Sequence, residues 1–418
     1  MSLRTATTTS LPLFLASLLA LSGGISSQVL AQASATPIEQ EQPSAEDFQH
    51  WLIELEKDVL RKGIKPSTWQ AVLPYLVINE QVLALDRQQP EFTQTFWTYL
   101  NKRMTDIRIQ AGKLQYFRYE SLLKRLETEH GVPAEILLAF WGLETNYGTF
   151  LGNTSTLSAL TTLAVDPRRS SFFRKELIAA ITIVDQGHVT PEDMKGSWAG
   201  AVGQMQFMPS IFLRHAQDGD GDHKINLWSS TEDALTSAAA FLQAAGWQAG
   251  TAWGQEVILP KGFNYALADG QTPYSVAQLT QLGVKPVIQP WRSPEKEVLL
   301  WAPAGHRGPS FATYANFAVI KKWNRSNHYA FTVGLMADTI VHNHHLSVNA
   351  PENVKPWPKD FTRQLQQRLL DLGYDIGKVD GWLGQNTARA IRAFQQEKGL
   401  IADGYPDAET LRYLQINE

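Results

Sequence analysis

The 418-residue chain contains no cysteine. That absence rules out disulfides, thiolate catalysis and cysteine-ligated zinc. It also argues against a lipoprotein anchor, which needs a cysteine at the new N-terminus. An excess of charge is missing too, since 37 Lys and Arg stand against 41 Asp and Glu, a net charge of -4. Neither the footprint of a nucleic-acid binder nor a polybasic membrane patch is visible in that balance. Beyond the N-terminus, no run is long and apolar enough to span a bilayer. A phosphate loop and a G-x-S-x-G nucleophile motif are absent. The HNHH stretch at residues 342–345 lacks zinc-site spacing and reads as a solvated helix end.

What is present begins with apolar content. Hydrophobic residues make up 44% and charged residues 19%, enough for a sizeable core. The length suggests two or three domains. Thirteen Trp and twelve Tyr offer faces that stack on sugar rings, although cores use the same faces. Residues 1–33 read as a secretory signal peptide, with Arg4 ahead of a short apolar run and Ala31-Gln32-Ala33 as a cleavage site. A retained anchor is the alternative, but the run falls short of the ~18 apolar residues a span needs. The mature protein is thus expected to be exported, soluble and periplasmic, with no transmembrane segment.

Residues 34–46, rich in Gln, Pro, Ser and Glu, read as a flexible leader. Helical periodicity starts near residue 47, where Phe48, Leu52, Leu55, Val59 and Leu60 share a face. It continues through FTQTFWTYLNKRM, YFRYESLLKRLETEHG, PAEILLAFWGLE, KELIAAITIVDQG and TEDALTSAAAFLQAAG. Residues 250–322 change texture and read as a small β-containing insertion, with strands expected in PEKEVLLWAPAG and TYANFAVIKKWN. SNHYAFTVGLMADTIVHN then returns to helix, closing a body at residues 47–348. A proline-rich linker follows at 349–358, and a three-helix module at 359–418. Its helices are marked by Leu365, Leu369, Leu370 and Leu372, then Ala388, Ile391, Ala393 and Phe394, then Leu411 and Leu414. The fold class expected is mainly α.

Three stretches carry chemistry. In FWGLETNYG, Glu144 is the one acidic residue of an apolar run near the end of a predicted helix. Apolar neighbours and the helix dipole both favour its protonated form, as suits a general acid working near neutrality. Taken alone, the pattern also suits a Glu on an exposed helix face, the commoner case. In GSWAGAVGQMQFMPS, residues 196–210, glycines permit close backbone approach, and Ser197, Gln204 and Gln206 need partners, for which a sugar would serve, although the stretch alone better suits a glycine-rich helix entry packed in the core. In DGDGDHKINLW, Asp218, Asp220 and Asp222 take positions 1, 3 and 5 of an EF-hand-like loop. His223 replaces the usual Gly and Ser229 the closing Glu, so Glu232 or Asp233 would have to close an enlarged loop. An Asp/Gly surface turn is an equal reading of that stretch.

Taken together, and with LDRQQPEF at 85–92, DPRR at 166–169 and WNRSNHYA at 323–330, these stretches resemble the lytic murein transglycosylase B family. The C-terminal module resembles a peptidoglycan-binding domain, which would tether the enzyme to its polymer. The resemblance implies a lysozyme-like helical catalytic domain, and the missing cysteine leaves it here without a lipid anchor. It implies cleavage of the β-1,4 bond between N-acetylmuramic acid and N-acetylglucosamine, leaving 1,6-anhydro ends. By the same resemblance Glu144 is acid and then base, and Ser197, Gln206, Arg168, Arg169, Asn324 and Tyr329 line a glycan cleft. Family members often carry Tyr where Trp323 stands, so a phenolic hydrogen bond is expected to be lost while the ring stacks on sugar. The resemblance also aligns Asp218, Asp220 and Asp222, with the Lys224 carbonyl and Asp233, as a candidate structural calcium site. No cofactor is otherwise required, and the partner implied is the peptidoglycan glycan strand, not nucleic acid. A hydrolysing muramidase and a non-catalytic murein-binding protein remain the alternatives.

Overall fold

The computed structural model describes residues 44–87, 92–166, 170–352 and 354–416. The signal-peptide region and nearly all of the leader therefore lie outside the described residues. The chain divides into two compact units, one built from residues up to 83 with 151–214 and the other from 84–150 with 215 onward.

The first unit is helical. The amphipathic helix Ala45–Arg61 buries Leu52, Leu55 and Val59, the spacing expected of a surface helix. Arg174, on the helix Ser170–Asp185, grips Asp58 through Nε and Nη2 at 3.0 and 2.7 Å. That helix packs along Thr156–Val165. A two-residue antiparallel pairing, Thr154–Ser155 with Lys195–Gly196, ties the start of Thr156–Val165 to the glycine-rich stretch.

The second unit is built around the helix Ala134–Thr145, in which every residue except Glu135 is buried. A helix apolar on all sides has to be surrounded. Here it is enclosed by Asp106–Arg118, Glu120–His130, Thr231–Ala244 and Asn327–His342. Glycines allow one unusually close approach. Added methyl groups at Gly112 and Gly142 would both overlap the Tyr147 hydroxyl, so these two positions form the slot that takes the tyrosine.

The β insertion is a five-stranded antiparallel sheet in the order Asp269–Ser275, Glu297–Trp301, Ser310–Thr313, Gly254–Ile258, Lys285–Pro286. Val257, Leu279, Val298, Leu300, Ala312 and Tyr314 fill its core. The sheet ends at Thr313, and TYANFAVIKKWN is not a strand as its β-branched residues suggest. It forms the helix Ala315–Trp323, because Asn316, Phe317, Val319, Ile320 and Trp323 recur at helical spacing on one buried face.

The C-terminal module has the expected three helices, Lys359–Asp371, Gln385–Glu397 and Ala408–Leu414, around Leu365, Leu369, Ile391, Phe394, Leu411 and Leu414. Leu370 and Leu372 point outward instead. The linker is also less free than its prolines imply. Its last two residues, Trp357–Pro358, pair antiparallel with Phe92–Thr93. Thr93 Oγ1 donates to the Gly381 carbonyl at 2.9 Å, and Asp403 Oδ2 accepts from the backbone N–H of His306 and meets its Nδ1 at 2.8 and 2.7 Å. The histidine cluster departs from a solvated end as well. The helix stops at His342, but the His344 side chain turns inward with Nε2 3.5 Å from Glu256 Oε2.

Candidate active site

Glu144 is the penultimate residue of its helix, as the sequence pattern predicts. The helix stops abruptly, because Asn146, Tyr147 and Gly148 follow with φ of 51, 60 and 76°. Asn and Gly accept left-handed backbone readily, whereas a tyrosine does so only when held. Tyr147 is held in its glycine slot. Its hydroxyl donates to the Arg108 carbonyl at 3.0 Å and its ring meets Trp141 edge-on at 5.5 Å. Thr145 completes the turn, its Oγ1 accepting from Gly148 N at 3.0 Å and its carbonyl from Phe150 N at 3.0 Å. The last turn carrying Glu144 is thereby fixed from both sides.

The Glu144 residue is only 5% exposed. Burial raises its carboxyl from 4.5 to about 7. The Tyr329 hydroxyl, the Arg103 charge and the Trp323 N–H pull the other way without cancelling the effect. Tyr329 Oη donates to Glu144 Oε1 at 2.5 Å, and Trp323 Nε1 donates to the same oxygen at 3.1 Å. Both donors come from the WNRSNHYA stretch. Trp323 ends one helix, Asn324 turns extended, and Ser326 caps the next by accepting from Tyr329 N at 3.3 Å. Asn324 Oδ1 steadies that junction by accepting from Ser326 N at 3.0 Å.

These contacts correct the expectation for Trp323. Its indole is buried between Phe140, at 4.6 Å, and Phe241, at 5.1 Å, and has no free face for a sugar. The hydrogen bond expected to be lost with the phenol is supplied by the indole N–H instead. Tyr329 is likewise buried against the carboxylate and does not line an open cleft.

The glycine-rich stretch lies in the first unit. Ser197 Oγ accepts from Ala201 N at 3.1 Å, and the Gln206 amide donates to the carbonyls of Leu151 and Gly203 at 3.1 and 3.0 Å. These bonds use the Gln206 amide nitrogen and the acceptor side of the Ser197 hydroxyl. Gln206 sits at φ 49°, a left-handed position held by those two bonds. Arg168 and Arg169 lie outside the described residues.

The acidic loop brings Asp218, Asp220 and Asp222 together with carboxylate oxygens within 4.8 Å of one another. Three hard oxygen donors suit calcium. Asp233 is not one of the three clustered carboxylates. It is buried, and its two oxygens accept from Gly219 N and Asn226 N, each at 2.7 Å, so it clasps the ends of the loop.

A family model described as the transglycosylase SLT domain matches residues 47–338, and a peptidoglycan-binding domain model matches residues 359–414. The membrane-bound lytic murein transglycosylase B of Escherichia coli (strain K12) is 33% identical over 313 residues, covering 71% of this chain and 82% of that protein. The chain belongs to the lytic murein transglycosylase B family. Among solved members, SltB3 from Pseudomonas aeruginosa, in complex with NAG-anhNAM-pentapeptide, superposes with a TM-score of 0.84 at 38% identity, covering 88% of this chain and 99% of that one. An Escherichia coli lytic transglycosylase in complex with calcium gives a TM-score of 0.59 at 31% identity, covering 70% of this chain and 92% of that one.

Within this family member, two parts of the site escaped the sequence reading. Arg103 ends the helix Phe96–Arg103 in no motif, yet its charge acts on Glu144. Tyr147 was visible in the ETNYG stretch, but its role as a buried plug depends on Gly112, thirty-five positions upstream, and no local pattern joins them.

Proposed function

We propose that this chain cleaves the β-1,4 bond between N-acetylmuramic acid and N-acetylglucosamine in peptidoglycan and leaves 1,6-anhydro ends, with Glu144 as acid and then base. The observation that carries the reading is a buried carboxyl poised near pH 7, with no carboxylate among the described residues that bond to it or act on it by charge. The Glu144 carboxyl donates its proton to the glycosidic oxygen as the C1–O bond breaks. The C6 hydroxyl oxygen of the same sugar then attacks C1, and the Glu144 carboxylate takes up the hydroxyl proton. No water is consumed. The attacking group is held on the substrate itself, which supplies the proximity that a second carboxylate arranges in other glycosidases.

By the family resemblance Ser197, Gln206, Arg168, Arg169 and Asn324 are glycan contacts. Residues 1–33 direct export, 47–348 form the catalytic body and 359–418 bind the wall. Among the described residues, no helix is long and apolar enough to cross a membrane. The loop of Asp218, Asp220 and Asp222 holds calcium as a structural ion, a reading supported by its oxygen donors and by the calcium complex of the Escherichia coli relative. Mass analysis of digested peptidoglycan tests the activity. Anhydro products whose masses sum to that of the substrate are expected. Products carrying one added water would identify a hydrolase, and the absence of products would identify a binding protein.

A further inference from the structure

Resting on the assignment of Glu144 as acid and base, we propose that Trp323 is a positioning residue which, with Tyr329, fixes the acid proton on Oε2 and makes Oε2 the oxygen that gives and later takes the proton. The two oxygens of Glu144 are not equivalent. Oε1 accepts from Tyr329 Oη at 2.5 Å and from Trp323 Nε1 at 3.1 Å, while Oε2 accepts no bond among the described residues.

A phenol can donate or accept, so Tyr329 alone would allow the proton on either oxygen. An indole N–H only donates. Trp323 therefore requires Oε1 to accept in both ionisation states. In a neutral carboxyl the carbonyl oxygen is the better acceptor, so two converging donors select Oε1 as the carbonyl and leave the hydroxyl on Oε2. After transfer, the same donors hold negative charge on Oε1, and Oε2 stays free to receive the proton of the C6 hydroxyl. The indole cannot swing away, because Phe140 and Phe241 pack on its ring at 4.6 and 5.1 Å. Trp323 also lies on the last turn of its helix.

The test uses the full chain with Trp323→Phe and Glu144→Gln variants, measuring release of anhydro products from intact peptidoglycan against pH. Trp323→Phe removes a donor that favours the carboxylate. Its alkaline limb should move up by about one pH unit, with kcat falling about tenfold and KM little changed. A uniform fall at every pH, with the limb in place, would overturn the proposal, since lost packing alone produces that pattern. Should the Phe variant not fold, the indole 15N–1H signal of Trp323 in the wild-type chain is read instead, assigned by its loss in Trp323→Tyr. It should titrate with the same midpoint as the alkaline limb and stay flat in Glu144→Gln; a flat wild-type signal overturns the bond. Lysis retained by Glu144→Gln would refute the role of Glu144, a failure separate from that of Trp323.

Discussion

At the scale of the residue, the role proposed for Glu144 ties activity and stability to the same proton. Its carboxyl stands at about 7 in the folded chain against 4.5 ordinarily. A raised acid holds its proton longer folded than unfolded, so its contribution is intact below pH 4.5 and is lost as pH rises to 7. Glu144→Gln removes that loss. The variant should be about as stable as wild type at pH 4 and more stable by roughly 3 kcal/mol at pH 8, as thermal melts across that range will read. The same substitution should lower lysis by about a hundredfold or more, measured by sacculus clearance. One acidic side chain in an apolar run pointed toward a raised carboxyl, but taken alone it suited an exposed helix face better, and the other motifs reversed that balance. The donors to Glu144 were not legible, because Trp323 and Tyr329 lie 179 and 185 residues away and only the packed structure brings them to one oxygen.

At the scale of the element, the turn after Glu144 depends on space. Gly142→Ala would drive a methyl group into Tyr147 and Met336. Overpacking of this kind costs about 1–3 kcal/mol, so the melting temperature should fall, and activity with it as Tyr147 is displaced. The acidic loop is a second element whose behaviour can be checked. Calcium titrated into chelator-treated protein should raise the melting temperature, and Asp220→Ala should abolish the rise without affecting the Glu144-dependent pH limb. Periodicity revealed the helices of the body well, since a buried apolar face repeats over several turns. Composition misled at Ala315–Trp323, where Phe317, Val319 and Ile320 carry β-like composition on a helical face. Composition and spacing disagreed there, and tertiary burial decided in favour of spacing.

At the scale of the whole molecule, the three helices of the C-terminal module were legible and their docking was not. A two-residue strand pairing and a single histidine–aspartate contact leave no periodic trace in a sequence. Asp403 accepts from His306, Gln395 and Tyr405 N, so Asp403→Ala would strip several buried donors of their partner. That variant should lose contact between module and sheet. Limited proteolysis should then cut within residues 349–358 well before it cuts wild type, with the two fragments each remaining folded.

The pairing of Trp357–Pro358 with Phe92–Thr93 has a consequence for how the polymer is processed. A module on a loose leash would let the acid sample every bond within the leash's radius around one anchoring point. The module and Glu144 belong to the same compact unit, so under the proposed function acid and anchor would travel together. Under that reading each grip on the wall would offer one bond at a set offset, and reaching the next would require letting go. The docked strand thus turns a tether into a gauge.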